Sequence, residues 1–178
     1  RYKSFFEFAD IGISMLSSNK TKMLGYEIEA NLLDTGIELR SEGAYIKDDT
    51  EFFQGIIGAD YGFVNGVTLI GEVLYSSKKF SFAEQELHLN SDISQNIVHS
   101  NVYTALSLKY SFNIFLDGSL LYIESFNEAD SRFISPSLTY TLNDYNALVL
   151  SSMLQYGSAE SEFGRLENSY FLKWSFSP

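Results

Sequence analysis

Apolar and polar side chains alternate along most of this chain, and the period is two. The clearest stretch is "GIELRSEGAYI" (36–46). There Ile37, Leu39, Gly43 and Tyr45 share one parity with Ser41, while Glu38, Arg40 and Glu42 share the other with Ala44 and Ile46. Successive side chains of a strand point to opposite faces, so this segment predicts a strand with one greasy face and one charged face. The same period recurs over 23–32, 53–63, 67–76, 103–112, 114–123, 131–142, 147–156 and 168–176, and less cleanly over 3–16. No segment carries a convincing helical period. The pattern therefore predicts about ten strands.

Turn signals separate the strands. Short connections are expected at "LDTG" (33–36), "VNG" (64–66), around Asn113 and at "NDYN" (143–146). Longer ones are expected at 17–22, 47–51, 77–100, 124–130 and 157–167. Short and long alternate, which gathers the short turns at one end of an up-and-down sheet and the long loops at the other. Transmembrane barrels sort their loops in this way. In the longest loop the alternation continues through "KFSFAEQELHLN", which predicts a hairpin extension able to fold over the end of the sheet or meet a partner.

Periodicity alone leaves two arrangements. A soluble barrel or sandwich would turn the greasy face inward. A membrane barrel would turn it toward lipid and put the charges in its lumen. Two features favour the second. Aromatic residues gather at the ends of the greasy faces, among them Tyr45, Tyr61, Phe63, Tyr75, Tyr110, Phe112, Tyr122, Tyr140, Tyr156, Trp174 and Phe176. Amphipathic rings are favoured at membrane interfaces. The greasy runs are also about nine to eleven residues long, the length a tilted strand needs to cross hydrocarbon.

The tail "NSYFLKWSF" puts Tyr170, Leu172, Trp174 and Phe176 on one parity close to the chain end. In this it resembles the bacterial outer-membrane β-barrel proteins, whose last strand ends in such an alternation. The terminal Phe usual in that family is displaced here by Ser177 and Pro178. "GADYGFVNGVTLIGEVLY" (58–75) is similar to a porin-type hairpin. The resemblance implies an all-β, up-and-down antiparallel transmembrane β-barrel in the bacterial outer membrane. Its partners would then be membrane lipid, lipopolysaccharide and small polar solutes. Residues 1–178 are expected to form a single domain. Ten strands with both ends at the short-turn side would close a narrow barrel. Because the chain opens on Arg1 directly in a strand, a C-terminal portion of a larger barrel is the alternative.

Composition narrows the chemistry. The net charge of −11 leaves no basic stripe for nucleic-acid phosphates, and zero Cys excludes disulfides, thiolate metal sites and a Cys nucleophile. No run of about 18 apolar residues offers a transmembrane helix. On the lumen parity the sequence puts Glu27, Glu29, Glu38, Arg40, Glu42, Asp60 and Glu72, all from the early strands. The later strands offer mainly hydroxyls (Ser107, Ser111, Ser119, Ser135, Ser137, Thr139 and Ser151) with Gln155, Asp117, Lys109 and Lys173. An acidic wall facing a hydroxyl wall predicts a porin-like channel for small polar or cationic solutes. The alternatives are a lumen plugged by its own side chains, with Arg40 bridging carboxylates and the loops serving as a surface anchor, or a soluble ligand-binding barrel.

No catalytic constellation emerges, so an enzyme is not expected. His99 and Ser100 are adjacent and would point to opposite faces, whereas the outer-membrane lipid hydrolases need i, i+2 spacing. "ELH" (86–88) is a poor match to omptin-type proteases. "KDDTE" (47–51) and "NEAD" (127–130) are read as solvated loop acids rather than Ca²⁺ ligands, and no metal or other cofactor is expected. In the first strand, Glu7 is expected toward lipid and Asp10 away from it. Pro136 sits mid-strand in "RFISPSLTY" without an N–H to give, which predicts a bulge.

Overall fold

In the computed structural model the chain is all-β. Its strands are β1 (Tyr2–Phe5), β2 (Asp10–Ser17), β3 (Lys22–Asn31), β4 (Ile37–Lys47), β5 (Glu51–Gly62), β6 (Val67–Ser76), β7 (Val102–Asn113), β8 (Leu116–Ser125), β9 (Ser131–Asn143), β10 (Asn146–Tyr156) and β11 (Ser169–Phe176). They form one up-and-down antiparallel sheet whose hydrogen-bonded order follows the chain, with β1 and β11 as its terminal strands. The structure describes residues 1–48, 50–81, 98–126 and 131–176. The continuation of the long hairpin, His88, and the acids at 49 and 127–130 lie outside these, as do Ser177 and Pro178.

The count is eleven because the expected strand 3–16 is two. Phe6 N–H donates to the Ala9 carbonyl at 2.9 Å and folds Phe6–Ala9 into a turn between β1 and β2. Glu7 therefore lies in a turn and not on a strand face. Loop sorting is weaker than expected in the early strands. β4 runs to Lys47 and β5 starts at Glu51, leaving 48–50 as the connection, and 18–21 is just as brief. At the first of these, Lys47 and the Tyr45 hydroxyl both engage the Glu51 carboxylate, which extends the pairing at the expense of the loop. Long connections remain after β6 and β10. The β3–β4 turn holds a single 3₁₀ turn, Leu33–Thr35, closed by Gly36 in the left-handed region at φ 75°.

Pro136 makes no bulge. On one side it stays paired with Leu120 of β8. On the other, the β9–β10 register is the same at Ser151↔Ser137 and Leu154↔Ile134, with the ladder lapsing only in between. The missing N–H thus costs ladder bonds toward β10 and leaves the register intact. The register shift in this pair lies at Asn146/Ala147, beside the turn.

The chain divides into two compact units. The first is Arg1–Ala59 with Glu72–Tyr103, and the second is Asp60–Gly71 with Thr104–Pro178. In each, apolar side chains of several strands stand more exposed than their polar-parity neighbours, although Glu29, Glu38, Glu42 and Lys109 on the polar parity are exposed too. In the first unit Leu24, Tyr26 and Ile28 of β3 are exposed, while Met23, Gly25 and Glu27 on the other parity are buried or half-buried. In the second, Leu106, Leu120, Leu138, Leu150, Leu172 and Trp174 stand exposed, while Ser107, Ser119, Ser137 and Ser151 on the opposite parity are half-buried. A water-soluble sheet protein has the reverse order, since burying apolar area is what stabilises it.

The few buried apolar side chains confirm this inversion. Ile46, Phe52 and Phe80 form the first unit's small core, with Met23 and Ala44 against it. Ile46 lies opposite Met23, so this core sits at the loop end of the polar parity rather than on the greasy one. Phe80 meets Phe52 edge-on at 5.8 Å, and the Lys78 ammonium lies 4.4 Å from the Phe80 ring centroid. The base of the long loop is therefore folded onto the polar face.

Candidate functional site

The register of β2, β3 and β4 assembles the polar face of the first unit in rows. Asp10, Glu29 and Arg40 make one row, Gly12, Glu27 and Glu42 the next, and Ser14, Gly25 and Ala44 a third. Lys3 of β1 lies opposite Gly12. Among the described residues, six carboxylates (Asp10, Glu27, Glu29, Glu38, Glu42 and Glu72) share the face with Arg1, Lys3 and Arg40, and Lys78 sits at its loop end.

Most of these charges are tied together, and a glycine makes room for one of the ties. The Arg1 guanidinium crosses β2 to reach both oxygens of Glu27, at 2.5 and 2.6 Å. It passes at Gly12, where a Cβ would stand 2.4 Å from Glu27 Oε1. Lys3 Nζ gathers Glu29 at 3.1 Å, Asp10 at 3.6 Å and Glu27 at 3.9 Å. Arg40 of β4 reaches past β5 to Glu72 of β6, with Nη2 to Oε1 at 3.0 Å. Backbone bonds at both ends of β5 and β6, Ser77 N–H to Phe53 and Phe63 N–H to Val67, imply a register that sets buried Gly58 opposite Glu72. The paired side chains range from about one-quarter to two-thirds exposed, so each pair adds little net stability.

The sequence-predicted lining residues separate on this geometry. Glu27, Glu29, Arg40 and Glu72 are joined in ion pairs. Glu38 and Glu42 sit on the same face without a cationic partner among the described residues. Asp60 and Lys109 belong to the second unit. Arg1 and Lys3 were not foreseen as lining residues. In an unbroken strand Lys3 shares the parity of Glu7, and only the Phe6–Ala9 turn brings it round to Asp10.

The second unit's polar face is built differently. Ser119, Ser137 and Ser151 stand directly opposite one another across β8, β9 and β10, and Asp117 faces Thr139 in the adjoining row. A cavity of about 270 Å³ is lined by Lys109, Ser119, Ser137 and Thr139, among others. Its one strong internal contact is the Ser111 hydroxyl donating to Asp117 at 2.5 Å. At the loop end, the Phe163 ring packs at a tilt against Phe133, centroids 5.8 Å apart, and the Phe163 N–H donates to Ser131 Oγ.

On the opposite parity of this unit, aromatics mark both ends. Tyr110, Phe112, Tyr140 and Trp174 lie toward the short turns, and Tyr122, Tyr156 and Tyr170 toward the loops. Trp174 faces Leu148 and donates its Nε1–H to Asn146 at 2.9 Å. From Leu148 to Tyr156 strand β10 advances roughly 27 Å, close to the height of a lipid-facing apolar band once strand tilt is allowed for.

His99 and Ser100 are both buried. Their N–H groups donate to the Tyr103 hydroxyl at 2.9 and 2.8 Å, and His99 Nδ1 is 2.8 Å from the Phe80 carbonyl oxygen. They help to anchor the loop base. No family model, curated protein or solved structure matches the chain.

Proposed function

We propose that the chain is a transmembrane β-barrel of a bacterial outer membrane, and that its polar face lines a path for small polar or cationic solutes. One observation carries the reading: in both units large apolar side chains stand exposed on one parity, while the opposite parity carries the charges and hydroxyls, half-buried at Glu27, Arg40, Glu72, Ser119, Ser137 and Ser151 and exposed at Glu29, Glu38, Glu42 and Lys109. In water such an exposed apolar face would be an aggregation hazard. Against lipid it is the favourable arrangement. Aromatics at both ends of the exposed face in the second unit support it further, and the excess of carboxylates over cations among the described residues of the first favours cations over anions.

Conductance in planar bilayers tests the path. The account expects discrete current steps with cation preference, reduced by neutralising Glu38 and Glu42 together. Steps with unchanged selectivity would remove those two residues from the path. A second reading has its own support. The Ile46–Phe52–Phe80 core lies on the polar parity at the loop end, as in a plugged barrel that displays its loops. Complete absence of current steps from correctly inserted protein would favour it.

A further inference from the structure

On the first unit's polar face, a cavity of about 270 Å³ opens beneath the Ile46–Phe52–Phe80 core. Its floor is low because Gly12 and Gly25 carry no side chain, and a Cβ at Gly25 would stand 2.6 Å from Ser14 Oγ. One wall is apolar, formed by Met23, Ile46 and Leu74. The other carries two carboxylates, Glu27 and Glu42, and one cation, Arg1. Glu27 and Glu42 face each other there in register, and Arg1 and Lys3 already hold Glu27. Among the described residues Glu42 has no cationic partner.

We propose that this cavity binds a small organic cation, an ammonium group carrying a compact hydrocarbon body. The ammonium meets Glu42, and the hydrocarbon lies against Met23, Ile46 and Leu74. Size permits it, since an apolar cavity of about 150 Å³ already takes benzene. The chemistry of the walls selects it. A bare divalent ion wants six or more oxygen ligands, and here one unpaired carboxylate stands beside three apolar side chains. The one cation among the described lining residues, Arg1, is held by Glu27, so an anion would find Glu42 and no free cation, and a neutral hydrocarbon would leave Glu42 unpaired. The site rests on the polar-face reading of the first unit, but it does not require that solutes pass through.

Methionine methyl NMR tests it directly. The chain has three Met: Met23 in the cavity wall, Met15 on the exposed apolar parity and Met153 in the second unit. In ¹³C-methyl-Met protein in zwitterionic detergent, titration with cyclohexylammonium should shift Met23 saturably and leave Met15 and Met153 in place. Glu42→Gln should weaken that binding about fivefold, the upper end for a partly exposed ion pair. Cyclohexanol and cyclohexanecarboxylate should give no saturable shift. Three methyls moving together without saturation would mean that the ligand merely enters the micelle, and would overturn the proposal. So would equal binding of cyclohexanol, a comparison that needs no variant to fold. A saturable, ammonium-specific Met23 shift in protein that carries no current would uphold the site while removing the channel.

Discussion

The two units cover their polar faces by different means. The first uses charge: Arg1, Lys3 and Arg40 reach over neighbouring strands to acids, and Gly12 leaves room for the Arg1–Glu27 pair. The second uses neutral hydroxyls, with Ser119, Ser137 and Ser151 in one row and a single close Ser111–Asp117 contact beside it. A charge on a partly covered face must find a partner or remain hydrated, whereas a hydroxyl can bond water in almost any orientation. The first face should therefore be sensitive to small changes in shape, and the second should tolerate them. On their apolar faces the two units agree.

The largest test addresses that agreement. Ile57 in the first unit and Leu150 in the second are both strongly exposed, at 63% and 58%. In a bilayer, Ile57→Arg and Leu150→Arg should each cost about 2–4 kcal/mol in reversible unfolding, the cost of an arginine near the membrane midplane. Near-zero cost in both would mean that these faces meet water. Next in size is Gly12→Ala. Its new Cβ displaces Glu27 from Arg1, and the overpacking should cost about 1–3 kcal/mol, measured by urea titration in lipid. A neutral result would mean that a side chain at position 12 fits beside the Arg1–Glu27 pair. Arg40→Met comes third. It frees Glu72 and should cost about 1 kcal/mol, less in high salt, because the pair is one-third exposed. Smallest is Ser137→Ala in the second unit's hydroxyl row, which should change stability by less than about 0.5 kcal/mol. A loss comparable to Arg40→Met would erase the distinction between the faces.

Strand positions were legible because the period of two is a local property. From β3 onward the expected and observed elements agree within a few residues. The β1–β2 turn was not legible, since Phe6-Glu7-Phe8-Ala9 contains none of the Gly, Pro, Asn or Asp that mark turns. That one miss hid Arg1 and Lys3, because a turn resets which parity faces which side. The acids of the polar face could be read residue by residue. Their partners could not, since Arg40 to Glu72 depends on the strand register. The core at the loop end was equally hidden, as Ile46 and Phe52 lie among polar neighbours on their own parity.

Trp174 is the chain's one tryptophan, it stands 70% exposed on the apolar face, and it reports directly on what that face touches. The most direct measurement is its fluorescence in liposomes containing spin-labelled lipid, compared with quenching by aqueous iodide. A lipid-facing sheet predicts strong quenching by label carried near the headgroups and weak quenching by iodide. Strong iodide quenching with no effect of the lipid-borne label would contradict it, and would return the exposed face to water.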